Sequence, residues 1–465
     1  MLDKFFKLQR SDTNPRQEII AGLTTFSTIA YIIFVNPTLL SKTGMDFESV
    51  LIATCLAAAV GTLLTGLLAN YPFAQAPGMG LNAFFVYTVV FQEGYSWQSA
   101  LAIVFISGII FILLTVTGVR SSIVNGFPKT VLKAIPVGIG LFITLIGLNN
   151  AGVIDINQGP IIDIILSQST LDKTSLIDQV QTAPPQIIQL GNLGSTQVLL
   201  TLFGFILMAV LSIRKVNGAI LISIVVITIL SMVFGQTVLP STILSTNLSL
   251  DATFFKLDFE GLFKTESGLS SGVLELLTIL ISFTLVDLFD TLGTLYGTAE
   301  KGGFLSKDGK LPRMKQAMLA DAVATTFGSI VGTSTTTTYI ESGSGIAAGG
   351  RTGLTSVVVA FLFLVCVFFA PLAAIIPTSA TSPALIMVGV FMMGSVNNIK
   401  FQSLEIAVPA FVTIVLIPFS YSIATGIGAG IITYALIYLL TGKPREVSLV
   451  TWIISALFIL KFILS

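Results

Sequence analysis

Three carboxylates, Asp287, Asp290 and Glu341, sit in stretches otherwise apolar enough to lie in a lipid bilayer, in a chain of 465 residues with no histidine. An Asp at the centre of a membrane helix costs roughly 2.5–3.5 kcal/mol on insertion scales, so such residues mark pathways and sites. Without histidine, a proton that crosses by way of side chains must ride mainly on carboxylates. In S-F-T-L-V-D-L-F-D-T-L-G-T, the residues Thr284, Asp287, Asp290 (or Thr291) and Thr294 recur at helical spacing and form one polar stripe. A helix beginning near Gly272 puts Asp287 about 22 Å along its axis, well inside a hydrocarbon core about 30 Å thick. Interhelical hydrogen bonding would explain the threonines, but two carboxylates are a costly way to achieve it. The pair suits a proton-coupled cycle in which one binds solute and the other carries the proton; the spacing leaves open which does which.

Glu341 belongs to G-T-S-T-T-T-T-Y-I-E-S-G-S-G-I-A-A-G-G-R-T-G, too polar and glycine-rich for a lipid-facing helix. The run Thr335 to Thr338 predicts an extended strand, and Ile346 to Gly350 a short half-helix with Glu341 near its N-terminus. Irregular backbone survives at membrane depth only when buried in protein or lining a cavity. A second broken stretch, F-A-Q-A-P-G-M-G-L-N-A-F-F-V-Y-T-V-V, carries Pro77, Gly78 and Gly80. There Asn82 reads as the N-cap of a half-helix over Ala83–Phe91. Two half-helix N-termini meeting at the midplane would present N–H groups to a polar solute, and Phe84 or Phe85 could stack on a flat ring. Glu18, Glu275 and Glu405 fall near span ends, where water or headgroups would reach them; Asp321 either functions or pairs with a neighbouring helix.

The elements that must hold these residues are membrane helices. The chain is 54% hydrophobic and 10% charged, against roughly 25% charged in soluble domains. Fourteen apolar spans follow one another: Ile19–Leu39, Val50–Ala69, Phe73–Val90, Ser99–Val119, Val131–Gly152, Val198–Ile213, Ala219–Phe234, Leu274–Thr298, Met314–Val331, Gly332–Gly350, Thr352–Ile376, Pro383–Val396, Ile406–Ser420 and Ile423–Leu440. Val447–Leu464 is a further stretch that either spans or lies along the interface. With Lys4, Lys7, Arg10 and Arg16 in the cytoplasm, the even-numbered exits collect Arg120, Lys129 and Lys133, then Arg214 and Lys215, then Lys301 to Lys315, and finally Arg351, Lys400, Lys443 and Arg445. The long loops 154–196 and 235–271 on the other face hold more acids than bases. Twenty-three basic and 23 acidic residues balance, which argues against nucleic acid as a partner. The N-terminus has no signal-peptide h-region. Cys55 and Cys366, both in apolar spans, predict neither a disulfide framework nor a metal site, and no cofactor is expected.

A weak internal repeat accompanies these spans, a chance match of a few apolar residues being the other reading. Glu18 to Ser27 resembles Glu275 to Thr284 at an offset of 257, which also lays Asn82 on Tyr339 and Phe84 on Glu341. Seven spans separate the copies, so the second is inverted in the membrane, the arrangement of many transport sites.

Taken together, T-T-F-S-T-I-A-Y-I-I-F-V-N-P, Q-A-P-G-M-G-L-N-A-F-F, V-D-L-F-D-T-L-G-T-L and the Glu341 stretch resemble the nucleobase–cation symporters of the nucleobase–ascorbate transporter superfamily. The likeness covers essentially the whole chain and is strongest to the AzgA-like branch of adenine, guanine and hypoxanthine permeases. It implies an all-α polytopic membrane protein of fourteen transmembrane segments in two inverted repeats of seven, with short strands in segments 3 and 10. A core domain (residues 1–128 and 272–378) would face a gate domain (129–271 and 379–465). The resemblance implies a purine nucleobase as solute, bound by Asn82, Phe84, Asp287 or Asp290, Glu341 and Ser342, with Asp287, Asp290 and Glu341 as proton-coupling groups. Glu-Ser-Gly stands where the xanthine and ascorbate branches carry Gln-Asn, which argues against ascorbate and urate. The expected function is proton-coupled purine uptake across the plasma membrane, with the N-terminus cytoplasmic. The rivals are a sulfate- or bicarbonate-type anion transporter of the same fold and an intramembrane two-carboxylate enzyme. The preferred purine, H⁺ against Na⁺ as coupling ion, and pairing into a homodimer stay open.

Overall fold

The structure, a computed structural model, describes residues 2–117, 126–156, 188–240, 242–245, 248–263, 269–308 and 310–464. Arg120, the end of the fourth predicted span and most of the long loop 154–196 lie outside them. All fourteen segments form. Segment 1 is Pro15–Ile29 with Ile32–Leu40, and segment 2 is Phe47–Leu64 running on through Thr65–Ala69. Segment 3 is a strand, β1 (Gln75–Pro77), followed by a half-helix Met79–Ala83 that continues through Phe84–Gln92. Segments 4 to 9 are Trp97–Thr117, Lys129–Ala151, Thr196–Ile213, Ala219–Val233, Leu269–Gly302 and Met314–Val331. Two short strands, β2 (Ile154–Ile156) and β3 (Ile188–Leu190), pair in the loop after segment 5. Segment 10 is strand β4 (Thr336–Thr338) and half-helix Ser342–Ala347. Segments 11 to 14 are Gly353–Cys366, Thr378–Met393, Leu404–Phe419 and Ile423–Leu440. Among the described residues nine helices have the length and apolarity to cross a membrane.

Local chemistry sets the starts. Asn14 accepts the N–H of Gln17 and Pro15 occupies the first helical turn, so segment 1 begins there. Asp46, Ser195 and Ser422 cap segments 2, 6 and 14 in the same way.

Packing obeys the inverted repeat. The dense helix contacts join segments 9 with 4, 11 with 2, 5 with 12, 13 with 5, 6 with 12, 13 with 14 and 6 with 7. Adding seven to each number turns 2·11 into 9·4 and 6·7 into 13·14, as two-fold symmetry requires. These contacts fall into one set among segments 2, 4, 9 and 11 and another among 5–7 and 12–14. Segments 3 and 10 cross at β1 and β4, which pair antiparallel with Gln75 opposite Thr338 and Pro77 opposite Thr336, all buried. Close helix approach around this pair depends on small residues. A Cβ on Gly61 of segment 2 would lie 2.7 Å from the Gln75 Oε1 and 2.8 Å from the Ala324 Cβ.

The structure corrects the offset of the repeat at the two broken segments. β1 starts at Gln75 and β4 at Thr336, and the half-helices at Met79 and Ser342, so the offsets are 261 and 263 rather than 257. Gly78, not Phe84, is therefore the counterpart of Glu341: each is the N-cap of its half-helix.

One charged position also differs from expectation. Glu18 is fully buried, not in contact with water, because it caps segment 11. The last stretch forms a helix, Leu449–Leu464, packed on segments 14 and 8. The Thr451 hydroxyl at its start donates to the Gly126 carbonyl at 2.8 Å, and Lys461 near its end pairs with Glu93 at 2.7 Å. Gly126 and Glu93 flank the two ends of segment 4, so this helix crosses from one face to the other. Glu405 lies near a span end as expected, in the first turn of segment 13, where Lys443 donates to it at 2.5 Å, and that bond holds the lysine ammonium above its usual range.

Candidate functional site

A cavity of about 380 Å³ opens between the two helix sets, at the junction of segments 3, 8 and 10. Its size falls within the roughly 300–1,000 Å³ typical of small-molecule sites. Both half-helix N-caps, Gly78 and Glu341, line it, and so does Asp290. Segments 5 and 12 close the other side with Pro136, Val388 and Phe391.

Each polar group is held by a neighbour. The Tyr31 hydroxyl donates to Glu341 Oε1 at 3.1 Å, and the Thr337 hydroxyl donates to Asp290 Oδ2 at 3.3 Å. Tyr31 sits at the break between the two helices of segment 1, which turns its ring into the cavity. Thr337 is the central residue of β4, so the strand pair itself orients Asp290. Tyr339 anchors the crossing by donating to the Pro77 carbonyl at 2.6 Å.

The polar stripe of segment 8 divides between two neighbours. Asp290 and Thr294 face the cavity, whereas Thr291 donates to Asp321 Oδ2 at 2.8 Å. Asp321 also accepts from Gln75 at 3.4 Å, so it ties segment 9 to segment 8 and to β1. The open question about Asp321 resolves to helix pairing. Asp287 is buried and lies off the cavity wall.

Three other expected positions also lie off that wall. The half-helix starts at Met79 because Pro77 and Gly78 stay extended and Gly78 is the cap; Gly80 and Asn82 are then inside it. Asn82 is fully buried and accepts a hydrogen bond from Ser334 instead of capping a helix. Phe84 turns away and packs on Phe283, with ring centroids 4.6 Å apart. Ser342 accepts the N–H of Ala74 at 2.9 Å and donates to the Tyr339 carbonyl at 2.6 Å, so it joins segment 10 to the approach of β1. The second half-helix also begins earlier than predicted, at Ser342 instead of Ile346.

Sequence reasoning missed Tyr31, Thr337 and Phe289 as wall residues. For Tyr31 a signal existed: a tyrosine inside an apolar span needs a partner for its hydroxyl. Among the described residues no group of three or more His, Cys, Asp or Glu is arranged to hold a metal ion.

Comparison with known proteins decides the family. Residues 16–171 and 161–429 match the Permease family. The chain belongs to this permease family. A Methanocaldococcus jannaschii protein named as a permease is 46% identical over 99% of this chain and 98% of its own. The Escherichia coli adenine permease AdeP is 42% identical, over 100% of this chain and 96% of its own. The Bacillus subtilis guanine/hypoxanthine permease PbuG is 40% identical over 99% of both. Among solved structures, the transmembrane domain of a cyanobacterial bicarbonate transporter superposes with a TM-score of 0.60 at 16% identity, covering 89% of this chain and 97% of that one. A murine Solute Carrier 26 anion transporter gives 0.62 at 12% identity, over 91% of this chain and 68% of its own. At such identities these likenesses establish the fold alone. The permease is a multi-pass membrane protein of two inverted seven-segment repeats, and its cavity lies where segments 3 and 10 cross.

Proposed function

We propose that this permease takes up purine nucleobases with protons across the plasma membrane, its N-terminus in the cytoplasm. The observation that carries the reading is the meeting of Glu341 and Asp290 on one cavity wall between the two helix sets. Glu341, oriented by Tyr31, accepts hydrogen bonds from ring N–H or amino groups of the base. Asp290 carries the proton, since it faces the cavity and Asp287 does not. Phe289 and Phe391 supply faces on which a flat ring can stack. The set of segments 1–4 and 8–11 is the mobile core, and the other set is the gate. Full-length relatives named as adenine and guanine/hypoxanthine permeases support this substrate class.

An anion as solute fits less well, although the solved neighbours include a bicarbonate transporter. Among the described residues two carboxylates and no Lys or Arg line the cavity. A monoanion 4 Å from one carboxylate would meet roughly 4 kcal/mol of repulsion at an effective dielectric of 20. Full-length relatives named as permeases speak against the enzyme reading.

The test is uptake of radiolabelled hypoxanthine and adenine, challenged by unlabelled purines, sulfate and bicarbonate, with and without a protonophore. Purine competition, loss of accumulation with protonophore, and loss of uptake in Glu341→Gln and Asp290→Asn are expected. Undiminished uptake in both variants would defeat the site assignment.

A further inference from the structure

A second cavity of about 440 Å³ adjoins the first across Ile340, Glu341 and Phe391. It is lined by Lys215 and Lys301, so it leads from Glu341 toward the face rich in basic residues. Lys301 ends segment 8, the helix that carries Asp290, and lies beside the half-helix that Glu341 caps. Its Nζ would stand 3.8 Å from a Cβ built on Gly343, in the first turn of that half-helix. Lys301 forms no ion pair with a described residue, so its ammonium is available to the one carboxylate in its cavity. Lys215 belongs to the connection between segments 6 and 7, on the opposite wall.

We propose that Lys301 is a positioning residue for the return of the empty carrier: its ammonium takes the place at Glu341 that the base's N–H donors vacate. This rests on the reading of Glu341 as ligand of the base. When base and proton leave, Asp290 gives H⁺ to water and both cavity carboxylates are anionic. An uncompensated carboxylate is expensive to move through a low-dielectric barrier. A lysine carries three donors on a flexible four-carbon stem, so it can follow Glu341 without competing while the base is bound. The loaded carrier does not need it; the empty one does.

That asymmetry defines the experiment, in proteoliposomes holding the full-length permease. Lys301→Gln should lower net uptake of labelled hypoxanthine at least tenfold. Exchange of labelled against unlabelled hypoxanthine, which never requires the empty carrier to return, should stay within twofold of wild type. Lys301→Arg should restore net uptake, and the melting temperature of both variants should match wild type. Equal loss of uptake and exchange, or no loss of either, overturns the proposal while leaving purine transport standing. Wild-type protein that exchanges no purine overturns the functional reading and this inference with it.

Discussion

Glu18 offers the sharpest test of how segment 10 is held in position. Its Oε1 accepts the N–H of Arg351 at 2.9 Å. Its Oε2 accepts the N–H of Thr352 at 3.3 Å, the N–H of Thr355 at 3.2 Å and the Thr355 hydroxyl at 2.6 Å. Glu18 is fully buried, and Glu18→Ala takes this acceptor from the Arg351 and Thr352 N–H groups, while the Thr355 N–H keeps the Thr352 carbonyl and the Thr355 hydroxyl keeps the Glu18 carbonyl, each at 3.3 Å. Each orphaned buried donor costs about 1–3 kcal/mol, so two cost about 2–6 kcal/mol, of which water entering the gap recovers part. Glu18→Gln keeps a carbonyl at the Oε2 position but sets an NH₂ against the N–H of Arg351, for about 1–3 kcal/mol. Against a total of about 5–15 kcal/mol, the order of stability should be clear: wild type, then Gln, then Ala. Heating the detergent-solubilised protein and measuring the monodisperse fraction by size-exclusion chromatography gives that order directly. If Glu18→Ala melts with wild type, the carboxylate does not hold the start of segment 11 and the argument from its four bonds is wrong.

Tyr31→Phe removes one bond to a carboxylate, worth about 1.5–3 kcal/mol, so the concentration of adenine for half-maximal competition should rise about 10- to 100-fold. Asn82→Ala should lower stability, through its lost bond to Ser334, but leave the ranking of competing bases unchanged; an altered ranking would put Asn82 in contact with the solute. Lys461→Gln leaves Glu93 with no ammonium at a largely buried position and should cost about 3–5 kcal/mol, seen as early melting; the double variant Lys461→Gln/Glu93→Gln should recover most of it.

Hydropathy alone predicts the segments well here, because a bilayer demands long apolar runs and leaves few other solutions. The broken segments were legible too: Pro77 and Gly78 stop one helix, and four consecutive threonines favour a strand. What sequence could not supply was rotation. One residue of error at a half-helix start turns a side chain by about 100°. Starting at Met79 instead of Ala83 moves Asn82 from the cap to the back of the helix, against Ser334. Asp287 and Asp290 looked equivalent by spacing, and only the position of β4 distinguishes the one that faces Thr337. Glu18 was misread for a related reason. A carboxylate near a span end looks solvated unless the start of another helix, more than 330 positions away in sequence, is known to meet it.

The inverted repeat also explains why the chain continues past segment 14. In the first copy, Glu18 opens segment 1 and caps segment 11, taking donors from residues 351–355. Inversion sends its counterpart, Glu275 at the opening of segment 8, toward the start of segment 4, and there it meets Glu93 and Tyr95. The copies are not chemically equal. Where the first offers backbone N–H groups, the second sets a carboxylate against a carboxylate. That arrangement needs a cation, and none of the local residues 92–98 is basic. Lys461 supplies it at 2.7 Å from Glu93, with the two side chains 9% and 13% exposed. From the Gly126 end to that point the last helix runs about 24 Å over its 16 residues. The course of the last helix thus gives Glu93, and Glu275 beside it, an ammonium that the second copy lacks among its own residues.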